Sequence, residues 1–490
     1  MSSHLKARVS HPALALALLA FAQAIIGIDF GIVFTALPSI GKALQFNAFD
    51  LQWVVSAYTL AIGGFILLGG RATDLLGRRR IFVIGLVLYA AASLMGGLAE
   101  VQLQLIIARA IQGLAGALLF PATVSMIATT FEEGPARNRA LGVWSAAGAA
   151  GGALGVFLGG LLTSTLGWEW VFFVNVPFAA AAAVLAPVLL PRGAGAGLTW
   201  RQAIRQFDLL GASAVTAAAL LLVYGLVEAP VVGWDSPTTW IAIGASAICG
   251  VLFAVIERRV PAPMVPASIF RHRGLVVAVI VAFAFMAIFG SQFYLLNLWL
   301  QEVRGFNAFN SGLGVLPLSI AIVIGAQVGR RLANQFSVRA TLVGGLLVGA
   351  GGLLYLGVGM SQDGAYWSHV LPGIVISGLG QGVCFTSVWI SSASGIPASQ
   401  AGVASGITST AQQIGAPVGL SLLVAIANHG QKAADKRIDL HSLVEGLHNA
   451  FFTTAILAVA VAVLVAALTR SRVPGTRRNE TTEAGALVRE

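Results

Sequence analysis

Residues 12–38 read PALALALLAFAQAIIGIDFGIVFTALP, and a single charged side chain, Asp29, interrupts them. A hydrocarbon core about 30 Å thick is crossed by about twenty helical residues, so this stretch is long enough to span a bilayer. An acid inside such a span is costly to bury and marks an ion or substrate path. The stretch has no small-residue cleavage site and continues past Asp29 to Pro38, so it reads as a retained span rather than a removable signal.

The pattern recurs thirteen times outward from there, at 51–70, 80–99, 103–129, 139–164, 169–190, 209–228, 238–256, 275–300, 311–331, 339–360, 368–391, 401–428 and 449–469. With 12–37 this makes fourteen spans, and the expected fold is an all-α polytopic membrane protein. Composition agrees: only 10% of residues are charged, against about 25% in soluble domains. The 58 glycines suit a membrane, where small residues let helices approach closely.

The chain divides as six, two and six. A cytoplasmic N-terminus (1–11) precedes a six-helix bundle (12–190) and a cytoplasmic loop (191–208). Two linker helices (209–256) and a second cytoplasmic loop (257–274) lead to another six-helix bundle (275–469) and a polar cytoplasmic tail (470–490). A weak internal repeat supports the division. Residues 70–80, GRATDLLGRRR, join spans 2 and 3, and residues 329–339, GRRLANQFSVR, join the second and third spans of the last group. Internal symmetry of this kind is expected of secondary transporters.

The net charge of +10 is topological and does not indicate nucleic acid. With the N-terminus inside, 23 of the 29 Lys and Arg fall on the cytoplasmic side, as the positive-inside rule requires. Lys42, Arg304, Lys432, Lys436 and Arg437 fall outside, and Arg109 lies within a span. Both termini are therefore expected in the cytoplasm, with Asn428–Asn449 outside.

Cys249 and Cys384 both lie in spans, with no metal-ligand spacing, so neither a structural disulfide nor a metal is expected. None of the four lysines sits in a phosphate-binding loop of the G-x-x-x-x-G-K-[ST] type, and direct ATP drive is not expected. No nucleophile–base constellation suggests an enzyme.

Six motifs, in order, resemble the major facilitator superfamily and, within it, the fourteen-span drug:proton antiporter family. Ile28-Asp29-Phe30-Gly31-Ile32-Val33-Phe34-Thr35-Ala36-Leu37-Pro38 resembles that family's D-x-T-I-V-N-V-A-L-P. The Gly70–Arg80 loop resembles the superfamily's G-x-L-a-D-R-x-G-R-[KR]-R. Arg109, Gln112, Gly113, Gly116 and Ala117 match the R-x-x-Q-G-x-g-a-a pattern of span 4. The tract Gly148–Gly160 resembles the antiporter motif of span 5. Gly167-Trp168-Glu169-Trp170 through Asn175-Val176-Pro177, and Gln301-Glu302-Val303-Arg304-Gly305-Phe306, complete the series. The chain departs from the pattern at Val156, where the family has Pro, at Glu169, where it has Arg, and at Leu75, where the loop has Arg.

The resemblance implies the major facilitator fold: two six-helix bundles plus two additional central transmembrane helices. It implies a proton-coupled multidrug antiporter exporting amphipathic small molecules by alternating access in the bacterial inner membrane. The proton gradient would be the energy source, with no cofactor. The expected partners are substrate, protons and lipid; a periplasmic adaptor is compatible with the family, and the working unit is expected to be a monomer. A dedicated exporter of one metabolite, such as an antibiotic or siderophore, fits the same frame. A non-transporting receptor or scaffold is the alternative from another class.

Asp29 lies nine residues, roughly 13 Å, before Pro38, the expected outer end of span 1. Arg109 lies about seven residues, roughly 10 Å, into span 4, which enters from the same side. The two charges are expected at similar depth, where moving them together or apart would load and release a proton; a fixed structural ion pair is the alternative. Glu302, near an outer end, is the candidate second proton site. Gly70, Asp74, Gly77 and Arg78 are the gating candidates: the resemblance implies a charge-relay brace between spans 2 and 11 of the twelve-span core. Gly148, Gly152, Gly155, Gly159 and Gly160 are expected to pack tightly, and by resemblance to hinge against the span at 311–331. Gln23, Gln112, Trp144, Asn297, Gln381 and Trp389 are the candidate substrate-cavity residues.

Overall fold

The computed structural model describes residues 12–47, 50–132, 135–191, 209–233, 235–260, 265, 267–360, 365–394, 396, 401–427 and 440–468. Most of the chain is helical, and no strand occurs among the described residues. The first six rods are α1 (Pro12–Ala43), α2 (Trp53–Leu76), α3 (Arg78–Gly97), α4 (Gln102–Thr130), α5 (Pro135–Thr165) and α6 (Trp170–Leu189). Two follow, α7 (Leu209–Val232) and α8 (Pro237–Arg259). The last six are α9 (Arg273–Val303), α10 (Ala308–Gln335), α11 (Val338–Gly359), α12 (Tyr366–Ser392), α13 (Ala401–Ala427) and α14 (Leu440–Leu468). Among the described residues, twelve helices are long and apolar enough to cross a membrane. The 24-residue helices α2 and α7 complete the fourteen rods.

The internal repeat is visible in the packing. In the first half α1 pairs with α5, α2 with α4, and α3 with α4 and α6. In the second, each partner is displaced by eight: α9 with α13, α10 with α12, and α11 with α12 and α14. Between the halves, α7 lies against both α2 and α13, and α8 packs along α7. Thr216 of α7 donates its hydroxyl to the Gly64 carbonyl of α2 at 2.6 Å.

Helix limits differ from the sequence reading most clearly in three places. Span 1 continues past Pro38 to Ala43, because a proline within a membrane helix releases little more than one backbone bond that neighbours can replace. The Gly70–Arg80 segment is not an extended loop. α2 runs through it to Leu76 and α3 begins at Arg78, leaving Gly77 alone between them with φ of 98°. Only glycine takes that conformation without strain. The last span begins at Leu440 rather than 449, since Leu443 and Leu447 are buried and carry the helix beyond the apolar run. Residues 428–439, expected outside, and the segments 1–11, 192–208 and 470–490 lie outside the described residues.

The apolar core is asymmetric along the helix axes. We call the end where α1 finishes and α2 starts the upper end; the sequence reading places it outside. One large cluster unites both halves there, from Ile32, Phe34 and Leu37 through Val156 to Tyr294, Leu296 and Trp299, and continues down the second half alone through Leu342, Val388 and Val465. At the lower end the clusters are separate. One joins α1 to α6 through Leu19, Phe82 and Leu119, and another joins Ile269, Leu275 and Ala404 of the second half.

Candidate functional site

Asp29 and Arg109 meet in the interior of the first half. Arg109 Nη1 donates to Asp29 Oδ2 at 2.8 Å, and the two side chains are 2% and 0% exposed. α1 ends at Ala43, later than the sequence reading placed it, and Gln102 at the start of α4 donates to the Leu44 carbonyl just beyond it at 3.2 Å. Arg109 Nε also donates to the Val54 carbonyl at 3.0 Å, and Nη1 to Gln112 Oε1 at 2.9 Å. The guanidinium stacks over the Tyr58 ring at 4.2 Å from its centroid. This planar fork, with one group satisfying several acceptors, is what arginine provides and lysine does not.

The carboxylate is held by donors. Besides Arg109, the amides of Gln112 and Asn175 each approach Asp29 Oδ1 at 3.4 Å. Gln112 Nε2 also donates to Ser93 Oγ at 2.8 Å, and Asn175 Nδ2 to the Val171 carbonyl. Helices α1, α2, α3, α4 and α6 thus converge on one buried node. Arg109 keeps two neutral acceptors, Gln112 and Val54, so it is not left bare when the Asp29 charge is withdrawn.

The second half carries a neutral counterpart at the matching helices. Gln381 of α12 donates Nε2 to Gln292 Oε1 of α9 at 2.7 Å, and Gln292 Nε2 donates to Ser377 Oγ at 2.8 Å. In each half a Gln-Gly pair, Gln112-Gly113 and Gln381-Gly382, reaches from the fourth helix to the first through its glutamine and packs on the second through its glycine. α9 also contains two π-helical turns, Met286–Gly290 and Trp299–Val303, which flank Gln292 and Asn297. Such turns occur often at functional sites.

Glu302 does not lie in the deep node. It sits at the upper end, where its Oε1 is 2.9 Å from Lys42 Nζ of α1. Beside it, Gln301 Nε2 donates to the Thr35 carbonyl at 2.9 Å. Both contacts join the two halves, as do the stacked edges of Phe34 with Phe293 and Phe157 with Phe309.

The span 5 glycines are divided between two neighbours. Added methyls at Gly151, Gly155 and Gly159 would meet the backbone carbonyls of Ala24, Ile28 and Ile32 in α1, and one at Gly148 would meet the Gln23 side chain. Gly152 accommodates Gly31 of α1. Only Gly160 faces α10, where a methyl would come within 2.5 Å of the Ala308 carbonyl. The stripe as a whole packs on α1, while α5 meets α10 from Val156 to Gly160, with Phe157 against Phe309 and Gly312 against the Val156 carbonyl. Val156, in the place of the family's proline, leaves α5 an unbroken helix and accepts a hydrogen bond from Thr35 Oγ1 at 3.3 Å.

Of the gating candidates, Gly70 faces Pro121 and Gly77 forms the α2–α3 break. Arg78 Nε donates to Ser125 Oγ of α4 at 2.6 Å, a bond within one half rather than between halves. Asp74 ends α2, but its side chain lies outside the described residues. Of the cavity candidates, Gln112, Asn297 and Gln381 are enclosed in hydrogen-bonded networks, Asn297 by Ser311 Oγ and the Phe293 carbonyl. Asn297 also borders a small pocket of about 10 Å³ with Phe34, Leu37 and Tyr294. Trp144 packs edge-on against Phe120, Trp389 lies beside Phe385, and Gln23 is half-buried.

Tyr58, Ser93, Asn175 and Lys42 complete these contacts and were not among the candidate site residues, although Asn175 lies in one of the family motifs and Lys42 was counted among the outer cations. Ser93 and Asn175 carried a faint signal as polar residues inside apolar runs. Tyr58 and Lys42 carried none, because their role depends on partners about 50 and 260 positions away.

The sequence pattern of the Major Facilitator Superfamily matches residues 19–420. The puromycin resistance protein pur8 of Streptomyces alboniger is 34% identical over 453 residues, covering 91% of this chain and 88% of that protein. The cephamycin export protein CmcT of Amycolatopsis lactamdurans is 34% identical over 471 residues, covering 94% of each. Among solved structures, a POT family transporter in complex with 5-aminolevulinic acid superposes with a TM-score of 0.69 at 13% identity. It covers 93% of this chain and 96% of that one, a likeness of fold.

Proposed function

This chain belongs to the Major Facilitator Superfamily, and on that premise we propose that it is a proton-coupled exporter of amphipathic small molecules. The observation that carries the reading is the buried Asp29–Arg109 pair. Asp29 is the member of the pair whose charge can be switched, because Arg109 stays protonated under essentially all conditions. In this reading substrate and proton share the pathway between the halves. With the upper seam closed and the lower ends separate, the site takes substrate from the cytoplasm while Asp29 holds its charge against Arg109. Reversal opens the upper seam, a proton arrives at Asp29, Arg109 falls back on Gln112 and Val54, and substrate leaves outward. Phe120, Trp144, Phe385 and Trp389 would supply apolar walls below the two nodes.

The protein is a multi-pass membrane protein; we place it in the bacterial cytoplasmic membrane with both termini inside. The working unit is taken as a monomer without a cofactor, driven by the proton gradient and independent of nucleic acid; an adaptor is not required by the cycle. The experiment is efflux from proteoliposomes with an imposed pH gradient, using ethidium as a cationic probe and puromycin as an antibiotic probe. Gradient-dependent movement of either supports proton-coupled export; gradient-independent leakage would overturn it. Impermeant thiol reagent reaching Gln335→Cys from outside whole cells would overturn the orientation.

A second reading, an exporter dedicated to one metabolite, is favoured by one observation: the two relatives named above are each called after one antibiotic. A substrate panel separates the two, with broad acceptance expected for a multidrug exporter.

A further inference from the structure

Helices α10 and α11 each pack along α12 while meeting one another only sparsely. They leave a crevice of about 410 Å³ on the periphery of the second half, open sideways and floored by Leu379 and Val383 of α12. Its walls are almost wholly apolar, with Val328 and Leu332 on one side and Gly344 and Val348 on the other. The crevice starts at the α10–α11 turn, at Phe336 and Ala340, and rises along α11 by about two turns, or about 12 Å. It therefore lies within the leaflet nearer the lower end. Val328 and Val348 remain well exposed at its rim, as they would be against hydrocarbon.

Two further observations bear on the occupant. A side chain added at Gly344 would meet nothing within 4 Å, so no neighbour in this chain fills that part of the crevice. Arg331, exposed, follows the rim residue Val328 by three positions on α10 and so lies on the same side of the helix, toward its lower end. Arg339 is turned away to the Ala466 carbonyl of α14. An apolar slot with an exposed guanidinium less than one helical turn below its rim residue Val328 is complementary to an acyl chain below an anionic headgroup, and basic sites between helices on the cytoplasmic side bind such lipids.

We propose that this crevice is a binding site for an anionic phospholipid, one acyl chain lying along Gly344 and the headgroup phosphate held by Arg331. The site rests on the multi-pass membrane reading and is independent of proton coupling, so its failure would leave the export reading standing.

The test is native mass spectrometry of the full chain released from membranes containing equal phosphatidylglycerol and phosphatidylcholine. Wild type should retain phosphatidylglycerol several-fold over phosphatidylcholine. Arg331→Gln should lose that preference, and Gly344→Leu should lose bound lipid of both kinds. Ala340→Leu, from the same wall, provides a second filling variant should Gly344→Leu fail to fold. Gly351→Leu, on the same helix in open space outside the crevice, should bind as wild type does. Equal retention of the two lipids by wild type, or undiminished phosphatidylglycerol in the filling variants, would overturn the site. A wild-type dimer lost in Gly344→Leu would do so too, by assigning the crevice to a second copy of the chain.

Discussion

Gln301 donates its side-chain amide to the backbone carbonyl of Thr35 at 2.9 Å, joining α9 to α1 across the two halves. One residue further, Glu302 meets Lys42 of α1 at 2.9 Å. A π-helical turn at the end of α9, Trp299–Val303, carries both side chains at the upper seam. This seam closes the upper end, while the lower clusters remain within their own halves. Transport requires the seam to open, so its bonds must be individually weak enough to break.

The Lys42–Glu302 contact is expected to be the weaker of these bonds. Lys42 is 71% exposed, and pairs with an exposed partner contribute about 0–1 kcal/mol. Glu302→Gln should raise outside labelling of a cysteine at Leu298, in a background lacking Cys249 and Cys384, by no more than about five-fold. The reversed pair Lys42→Glu with Glu302→Lys should restore the original rate. Unchanged labelling in Glu302→Gln would remove the contact from the gate.

Asp29→Asn keeps the shape of the node and fixes it as neutral. Proton-driven efflux in proteoliposomes should stop, while a neutral substrate should still bind; binding of a cation should weaken. Full gradient-driven efflux by Asp29→Asn would show that another group carries the proton, and Glu302 would be examined next.

Arg109→Ala leaves Asp29 buried without its cation. Breaking a buried pair from one side costs about 3–5 kcal/mol, so the detergent-solubilised variant should melt well below wild type. Arg109→Lys retains a charge but cannot reach Asp29, Gln112 and Val54 together, and should fall between the two. A melting curve for Arg109→Ala that overlays wild type would show that the node contributes nothing to folding.

The glycines of α5 should differ sharply by position. Gly159→Leu would drive its side chain into the Ile32 backbone of α1 and should abolish folded protein in size-exclusion chromatography. Gly142, on the same helix, has nothing within 4 Å. Gly142→Ala should be tolerated, and helix propensity favours Ala by about 1 kcal/mol. Equal yields of Gly159→Leu and wild type would contradict the close α1–α5 packing.

The all-α, multi-pass character of the chain and the candidacy of Asp29 and Arg109 were legible in the sequence alone. The reason is physical: a bilayer imposes a length and polarity rule on each span separately, so a local reading is enough, and a charge that breaks the rule stands out. Helix ends were less legible, because α1 past Pro38 and α14 from Leu440 extend through residues that no hydrocarbon constrains. Only the tertiary structure decided that the glycine stripe of α5 packs on α1 rather than α10, and that Glu302 belongs to a seam with Lys42. The same holds for Tyr58, Ser93 and Asn175, which close the cage around the charged pair. Those facts depend on which helix faces which across tens to hundreds of residues, and the apolar pattern of a membrane span is nearly the same on every face.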